Sequence, residues 1–326
     1  MNDPASAPDP RPSASLLTVV MAVHDGARFL PAQLASIRAQ SFRDFVLLAR
    51  DDGSRDGSWA ILSAAAAEDP RVRPSRVARA RGAVAAFAAL LAEVRTPYFA
   101  LCDQDDVWHP EHLRRAIEAL EAAPEADLTH TDLELVDEEG RPLGERLWTR
   151  LGLKPVRRRP SSLLVRNTVT GAAAVGRTRL LERALPIPEN APMHDWWLAL
   201  AAASGGGILP RDEPTVFYRQ HPAQLLGARR VRGWALLPYL HARGLTLAQY
   251  LRRWRKQKID FHEEALRRFA PLRRWRILLR LEREPWVLRV LTAPLYALLL
   301  ALAAPEAGLR RILTDTLVEI LPLWIP

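Results

Sequence analysis

Three apolar runs in this chain each end in a loop that carries aspartate, and each loop leads into a helical pattern. Leu17 to Val23 is a continuous, β-branched apolar run that closes on His24-Asp25-Gly26. Phe45 to Ala49 closes on Arg50-Asp51-Asp52-Gly53-Ser54, and Tyr98 to Cys102 closes on Asp103-Gln104-Asp105-Asp106. Unbroken apolar runs of this length suit strands buried on both faces. Between and after them, Phe29, Leu34 and Ile37, then Trp59 and Leu62, then Phe87, Leu90 and Leu91, then Leu113, Ile117 and Leu120 recur at helical spacing. The last of these helices opens at His109-Pro110-Glu111, with proline in its first turn. The alternation predicts an α/β fold with a mostly parallel sheet between helices. Ligands of such sheets bind beyond the carboxyl ends of the strands. Asp25, Asp51, Asp52, Asp103, Asp105 and Asp106 are therefore expected on one edge.

After residue 125 the pattern is less regular. Strands are expected at 128–136, 169–175 and 216–218, a turn at Glu138-Glu139-Gly140, and a helix at 195–203. Residues 141–162, with Arg157-Arg158-Arg159, read as irregular. Residues 1–15 are rich in Pro, Ala, Ser and Asp and read as a disordered arm. They carry no charged segment followed by an apolar one, so a secretory signal is not expected, and a cytoplasmic location is.

The chain is 48% hydrophobic and 25% charged, which excludes a disordered or polytopic membrane protein. Its single cysteine, Cys102, excludes a disulfide framework and a cysteine-built zinc site. The net charge of +9 suggests a nucleic-acid partner, but the charge is unevenly placed. Residues 229–283 hold 16 Lys and Arg against four acids, a surplus of +12, while residues 1–228 come to −2. The basicity describes an attachment surface. Leu247, Leu251, Trp254, Ile259, Leu266 and Phe269 lie among Arg252, Arg253, Arg255, Lys256, Lys258, Arg267 and Arg268. That pattern favours a helix at an anionic membrane surface over a solvated bundle or a dimer face. Residues 290–304 are apolar but fall short of the ~20 residues that span a bilayer.

Asp103 and Asp105 stand one residue apart at a strand end, where alternate side chains share a side. Such a pair suits Mg²⁺ or Mn²⁺. An isolated D-x-D is more often only an acidic loop, but neighbouring aspartate loops reverse that balance here. Asp51 and Asp52 could accept from a base N–H or ribose hydroxyl, or could simply form a capped turn. Asp195, in His194-Asp195-Trp196-Trp197, reads as a general base beside aromatic walls or as a carboxylate complementing a helix dipole. In Tyr218-Arg219-Gln220-His221, His221 could ligate a metal and Arg219 a phosphate. Alone, a histidine is more often a hydrogen-bonded surface or core residue.

Taken together and in order, these motifs resemble family-two glycosyltransferases of the GT-A fold, and within them a bacterial rhamnosyltransferase-like branch. Met21-Ala22-Val23-His24-Asp25-Gly26 is similar to its M-A-T-Y-N-G. Asp51 to Gly57 matches D-D-G-S-x-D-G, and Asp103 to Trp108 matches D-Q-D-D-V-W. Met193 to Trp197 matches M-H-D-W-W, and Tyr218 to His221 matches Y-R-Q-H. The resemblance covers residues 16–228 and implies a Rossmann-like GT-A domain there. Residues 229–326 would form a basic, tryptophan-rich helical extension.

The resemblance implies roles position by position. Ala22, Val23, His24, Asp25, Asp51, Asp52, Asp103 and Gln104 would bind the nucleotide-sugar donor. Asp105, with Asp103 and His221, would hold Mg²⁺ or Mn²⁺. Asp195 would be the catalytic base, and Gly171, His194 and Trp196 would border the acceptor. The implied reaction moves one sugar, with inversion, from dTDP-rhamnose or a UDP-hexose to a glycan or polyprenyl-linked acceptor. The enzyme would be peripheral on the inner face of the cell membrane. Val23, His24 and Asp25 depart from the usual Thr, Tyr and Asn, and Ala86 and Gln224 stand where Asn is common. A basic nucleic-acid-binding protein is the rival reading. It leaves the acidic loops without a purpose, so no nucleic-acid partner is expected. A non-catalytic scaffold is opposed by the intact Asp105 and Asp195.

Overall fold

The predicted alternation forms a nine-stranded mixed sheet between two helical layers. The computed structural model describes residues 15–221, 224, 247–275, 298 and 302. Its first half runs β1 (Leu17–Val23), α1 (Leu30–Arg38), β2 (Phe45–Asp51), α2 (Ser58–Glu68), β3 (Val72–Arg76), α3 (Ala83–Ala92), β4 (Tyr98–Cys102), β5 (Val107–Trp108) and α4 (His112–Ala122). Then come β6 (Leu128–Val136), β7 (Pro142–Arg146), α5 (Leu147–Leu151) and α6 (Pro160–Val165). A 3₁₀ turn (Gly171–Ala173) leads into β8 (Ala174–Arg177), α7 (Arg179–Ala184), α8 (His194–Ala203) and β9 (Ile208–Arg219). A long helix, α9 (Leu247–Arg268), and a 3₁₀ turn (Ala270–Trp275) follow.

The strand order is β3-β2-β1-β4-β8-β6-β9-β5, with β7 beside β6. The β3-β2-β1-β4 half is parallel. β8 runs against both neighbours, β4 and β6. Since β6 and β9 are parallel, the sheet regains its first direction beyond β8. The carboxyl ends of β1, β2, β4, β6 and β9 therefore lie on one edge.

β1 is apolar throughout because both its faces are covered. Leu17, Val19, Met21 and Val23 pack with α1, α2 and α4. Val20 packs with Phe87, Leu90 and Leu91 of α3 and with α8 on the other side. At the β4–β8 seam Phe99 pairs with Gly176, and the ring lies over the space that a side chain would fill.

Several expectations need correction. α4 starts at His112, so Pro110 precedes the helix, in a turn where Ser41 N donates to Pro110 O at 2.8 Å. Residues 141–162 hold β7 and α5 and enter α6; β7 is exposed throughout, so it carries no apolar alternation. β8 begins at Ala174, because Gly171–Ala173 form a 3₁₀ turn. β3 was not foreseen, and β9 is far longer than 216–218.

The expected disordered arm lies outside the described residues, apart from Ser15. So does most of the C-terminal region. α9 does not present its apolar stripe to a membrane over its second half. Phe261, Ala265, Leu266, Phe269 and Leu272 are buried against the α6–α8 face. Phe261 meets Trp196 and Trp197 edge-on, and His262 Nε2 lies 2.8 Å from Leu164 O. Arg268 stacks over Trp197 and donates to Pro186 O at 2.9 Å. No helix among the described residues is long and apolar enough to cross a membrane.

The β8 seam yields a prediction. A Cβ on Gly176 would stand 2.6 Å from Phe99 Cε1. Gly176→Val is expected to overpack the seam and cost about 1–3 kcal/mol, read by urea denaturation.

Candidate active site

The first two loops are stitched together by side chains accepting backbone N–H groups. Ala22 is half-buried and Val23 buried at the end of β1, and beyond them His24 and Asp25 emerge into solvent. Asp25 adopts φ +47°, a left-handed conformation that aspartate tolerates better than most residues. Asp25 N donates to Ser54 Oγ, Gly26 N to Ser58 Oγ and Ala27 N to Asp56 Oδ2. In return, Arg55 N donates to Asp25 Oδ1 at 2.8 Å.

Asp51 and Asp52 are both buried but differ in what they hold. Asp51 Oδ1 accepts from Ser54 N at 2.8 Å, and Arg76 Nε pairs with Oδ2 at 3.0 Å. Asp51 thus shapes its own loop. Asp52 Oδ2 accepts from Arg81 N and Gly82 N, each at 2.8 Å, whereas the buried Asp52 Oδ1 has no hydrogen-bond partner among the described residues. A buried acceptor without a donor is costly, and a ligand N–H or O–H would relieve it.

At the end of β4, Gln104 differs from the expectation of a donor contact. Its carboxamide clamps the β1 loop instead: His24 N donates to Oε1 at 2.8 Å and Nε2 donates to His24 O at 3.0 Å. A Cβ on Gly26 would stand 2.6 Å from Gln104 Cδ, so a side chain there would displace the clamp. Arg219 also differs from a phosphate contact. Its N donates to Asp106 Oδ1, its Nε to Asp105 O and its Nη1 to Glu138 O at 2.6 Å. The guanidinium thereby ties the β4 loop to the β6–β7 turn.

Asp105 Oδ2 and His221 Nε2 stand 2.8 Å apart, and the His221 ring leans on Phe29 at 4.6 Å. Burial pushes Asp103 up to about 8, with Asp105 and then Asp195 adding repulsion. Asp106 is also pushed well above the usual carboxylate range by burial, Asp105 and Asp103. Among the described residues Arg76 pairs with Asp51 and Arg219 lies beside Asp106, but the carboxyl groups outnumber these cations. Among the described residues no group of three or more His, Cys, Asp and Glu side chains forms a ready metal cage. The Asp105–His221 pair nevertheless offers an oxygen and a nitrogen lone pair together. Two protein ligands fit a small divalent ion that completes its shell with phosphate oxygens and water.

Across the edge, Asp195 sits in the first turn of α8 and is buried. Asn167 Nδ2 donates to its Oδ1 at 3.0 Å, and Gly171 N donates to its Oδ2 at 2.9 Å. Burial raises the carboxyl to about 6, against these bonds and the helix N–H groups, which lower it. Gly171 thus supports Asp195 directly. A Cβ there would lie 3.4 Å from Asp195 Oδ2 and 3.3 Å from His194 Nε2.

His194 and Trp196 depart from the expected acceptor border. His194 is buried in a stack on Phe87 at 3.8 Å, and burial pushes its imidazole down to about 3. Trp196 donates from Nε1 to Leu163 O at 2.5 Å and packs on Phe261 of α9. Both turn to neighbouring helices because apolar surface is available there.

Asp52, Asp103, Asp105, His221 and Asp195 therefore arrive at one sheet edge from β2, β4, β9 and α8. The Asp103–Asp195 repulsion places the end of β4 and the start of α8 in electrostatic reach. Asn167 and Phe29 were not foreseen: Asn167 stands in an irregular loop, and Phe29 reads as part of a helix face.

Residues 18–184 match the family described as Glycosyl transferase family 2. Succinoglycan biosynthesis protein ExoO of Rhizobium meliloti is 34% identical over 127 residues, which is 39% of this chain and 36% of that protein. An uncharacterised glycosyltransferase of Nostoc is 29% identical over 122 residues, 37% of each chain. The match thus spans little more than a third of these relatives. Staphylococcus aureus TarS 1-349 in complex with UDP superposes with a TM-score of 0.56 at 16% identity, covering 93% of this chain and 90% of that one. The mannosyltransferase PcManGT from Pyrobaculum calidifontis, in complex with GDP-Man and Mn²⁺, gives 0.53 at 20% identity, covering 98% and 90%. These likenesses are of fold, and the fold is GT-A. With the family match spanning half of its length, the chain belongs to glycosyl transferase family 2.

Proposed function

We propose that the chain moves one sugar, with inversion, from a nucleotide-sugar to a hydroxyl of a glycan or polyprenyl-linked acceptor in cell-envelope polysaccharide synthesis. The carrying observation is Asp195, a buried carboxylate with its pKa raised, facing the same edge as the Asp105–His221 pair. A base and a diphosphate site share one cleft in this reading. The unpartnered Asp52 Oδ1 would accept from the nucleotide base. The name of the succinoglycan relative supports a polysaccharide product, and the complexes of the structural neighbours support a nucleotide-sugar donor. dTDP-rhamnose is the first donor to test, on the resemblance of the D-Q-D-D-V-W and M-H-D-W-W motifs, with UDP-hexoses second.

Asp195 takes the proton as the acceptor oxygen forms its bond to the anomeric carbon. The bond from that carbon to the diphosphate oxygen breaks on the opposite face. Mg²⁺ or Mn²⁺ held by Asp105 and His221, with Asp103 beside them, would offset charge on the departing nucleoside diphosphate. Gln104 and Arg219 keep the two loops in register. The acidic edge would repel a nucleic-acid backbone, which disfavours that partner.

Attachment to an anionic membrane rests on narrower support than the whole basic segment. The buried half of α9 is unavailable, but Lys256 and Arg267 are exposed on it. Leu298 and Leu302 are 56% and 62% exposed. Exposed leucines and exposed cationic residues together suit a lipid interface.

Four outcomes are expected. Asp195→Asn should lower transfer by on the order of 10²–10⁴-fold while donor-induced thermal stabilisation persists. The wild-type rate should rise with pH through about 6, as Asp195 loses its proton, and then level off. Asp105→Ala should weaken Mn²⁺-dependent donor binding, read by calorimetry with dTDP-rhamnose and UDP-hexoses; unchanged affinity would remove Asp105 from the metal site. The full chain should float with anionic liposomes at low salt, and recovery only in the soluble fraction would reject the membrane partner.

A further inference from the structure

Asn167 has an orientation that can be read from its bonds. Val169 N donates to Asn167 Oδ1 at 3.0 Å. An amide oxygen engaged by an N–H leaves its NH₂ to face the other way. That NH₂ meets Asp195 Oδ1 at 3.0 Å, so this oxygen is held as an acceptor. Gly171 N holds the second oxygen in the same sense at 2.9 Å. Both oxygens of a buried carboxyl are thus fixed by donors that favour its ionised form.

The other groups around Asp195 do not supply that support. Asp103, at the end of β4, repels its charge. His194, beside it on α8, is held neutral by burial. Arg166 donates to Leu151 O and Gly152 O. His262 of α9 lies on Leu164 O. Among the described residues no cation pairs with Asp195. What remains is the start of α8, Gly171 N and one side chain.

We propose that Asn167 is the positioning residue of Asp195: its side-chain amide fixes the carboxylate plane and keeps the group ionised in a buried site. This rests on Asp195 being the base. Asn167 itself touches no reacting atom in this arrangement. Its contribution is to the state and direction of the group that does. A proton taken from an acceptor hydroxyl must then settle on a lone pair of Asp195 that faces neither Asn167 nor Gly171. The accepting direction is set before substrate arrives.

The test compares the full chain with Asn167→Ala and Asn167→Asp. The aspartate variant keeps the shape and the acceptor for Val169 N but replaces the NH₂ with a like-charged oxygen. The Asp195 carboxyl is titrated by ¹³C NMR of chain labelled at the Asp carboxyl carbon, its resonance assigned by its loss in Asp195→Asn. Loss of one hydrogen bond to a charged group should move the midpoint up by about one pH unit in Asn167→Ala. Asn167→Asp should move it further in the same direction. Nucleoside diphosphate release from dTDP-rhamnose or a UDP-hexose, with water as acceptor, is the second readout. In Asn167→Ala kcat should fall about fivefold near pH 6 and approach wild type near pH 8, with KM unchanged. An unmoved midpoint in both variants, or a loss of kcat independent of pH, overturns the proposal. Should the midpoint move while Asp195→Asn keeps full turnover, Asn167 still positions Asp195, and it is the base assignment that fails.

Discussion

Crowding of like charge at one edge of the sheet is the constraint on which the rest of the site depends. Asp51, Asp52, Asp103, Asp105, Asp106 and Asp195 cannot all stand ionised and unsupported there. Each is handled differently. Arg76 pairs with Asp51, and two backbone N–H groups hold Asp52. Asp106 is buried in the protonated direction with Arg219 N on one oxygen, and Asp105 meets His221. What is left is a negatively charged edge, where the buried Asp52 Oδ1 and Asp106 Oδ2 have no hydrogen-bond partner among the described residues. Cleft electrostatics of this kind select for a ligand that brings its own cation.

The first half of the fold was legible because its strands are buried on both faces. Leu17–Val23 and Tyr98–Cys102 have the ends that their apolar runs predict. β3 was missed since Val72 is the only buried residue among its five, at an edge of the sheet. β8 was placed too early because Val169 to Val175 is apolar throughout, while the chain breaks into a 3₁₀ turn at Gly171. That turn delivers a backbone N–H to Asp195, and no residue pattern announces it. Tertiary demand there overrides a local preference for extension.

The site residues follow the same division. Asp105 and His221 meet at 2.8 Å, and Asp195 comes within electrostatic reach of Asp103. Other side chains of the same motifs bond the backbone. Gln104 and Arg219 carry polar groups that look fit for a ligand, yet both hold loops. Trp196 and His194 look like cleft walls but pack between helices. A sequence shows which atoms a residue owns, not which neighbour claims them first.

The packing of α9 alters how the polypeptide divides. Phe261, Leu266, Phe269 and Leu272 cover Trp196 and Trp197, which belong to the same short helix as Asp195. A boundary drawn after residue 228 would strip that cover from the two indoles beside the first turn of α8. The tail is thus part of the scaffold around α8, and a boundary that keeps this contact falls after residue 272.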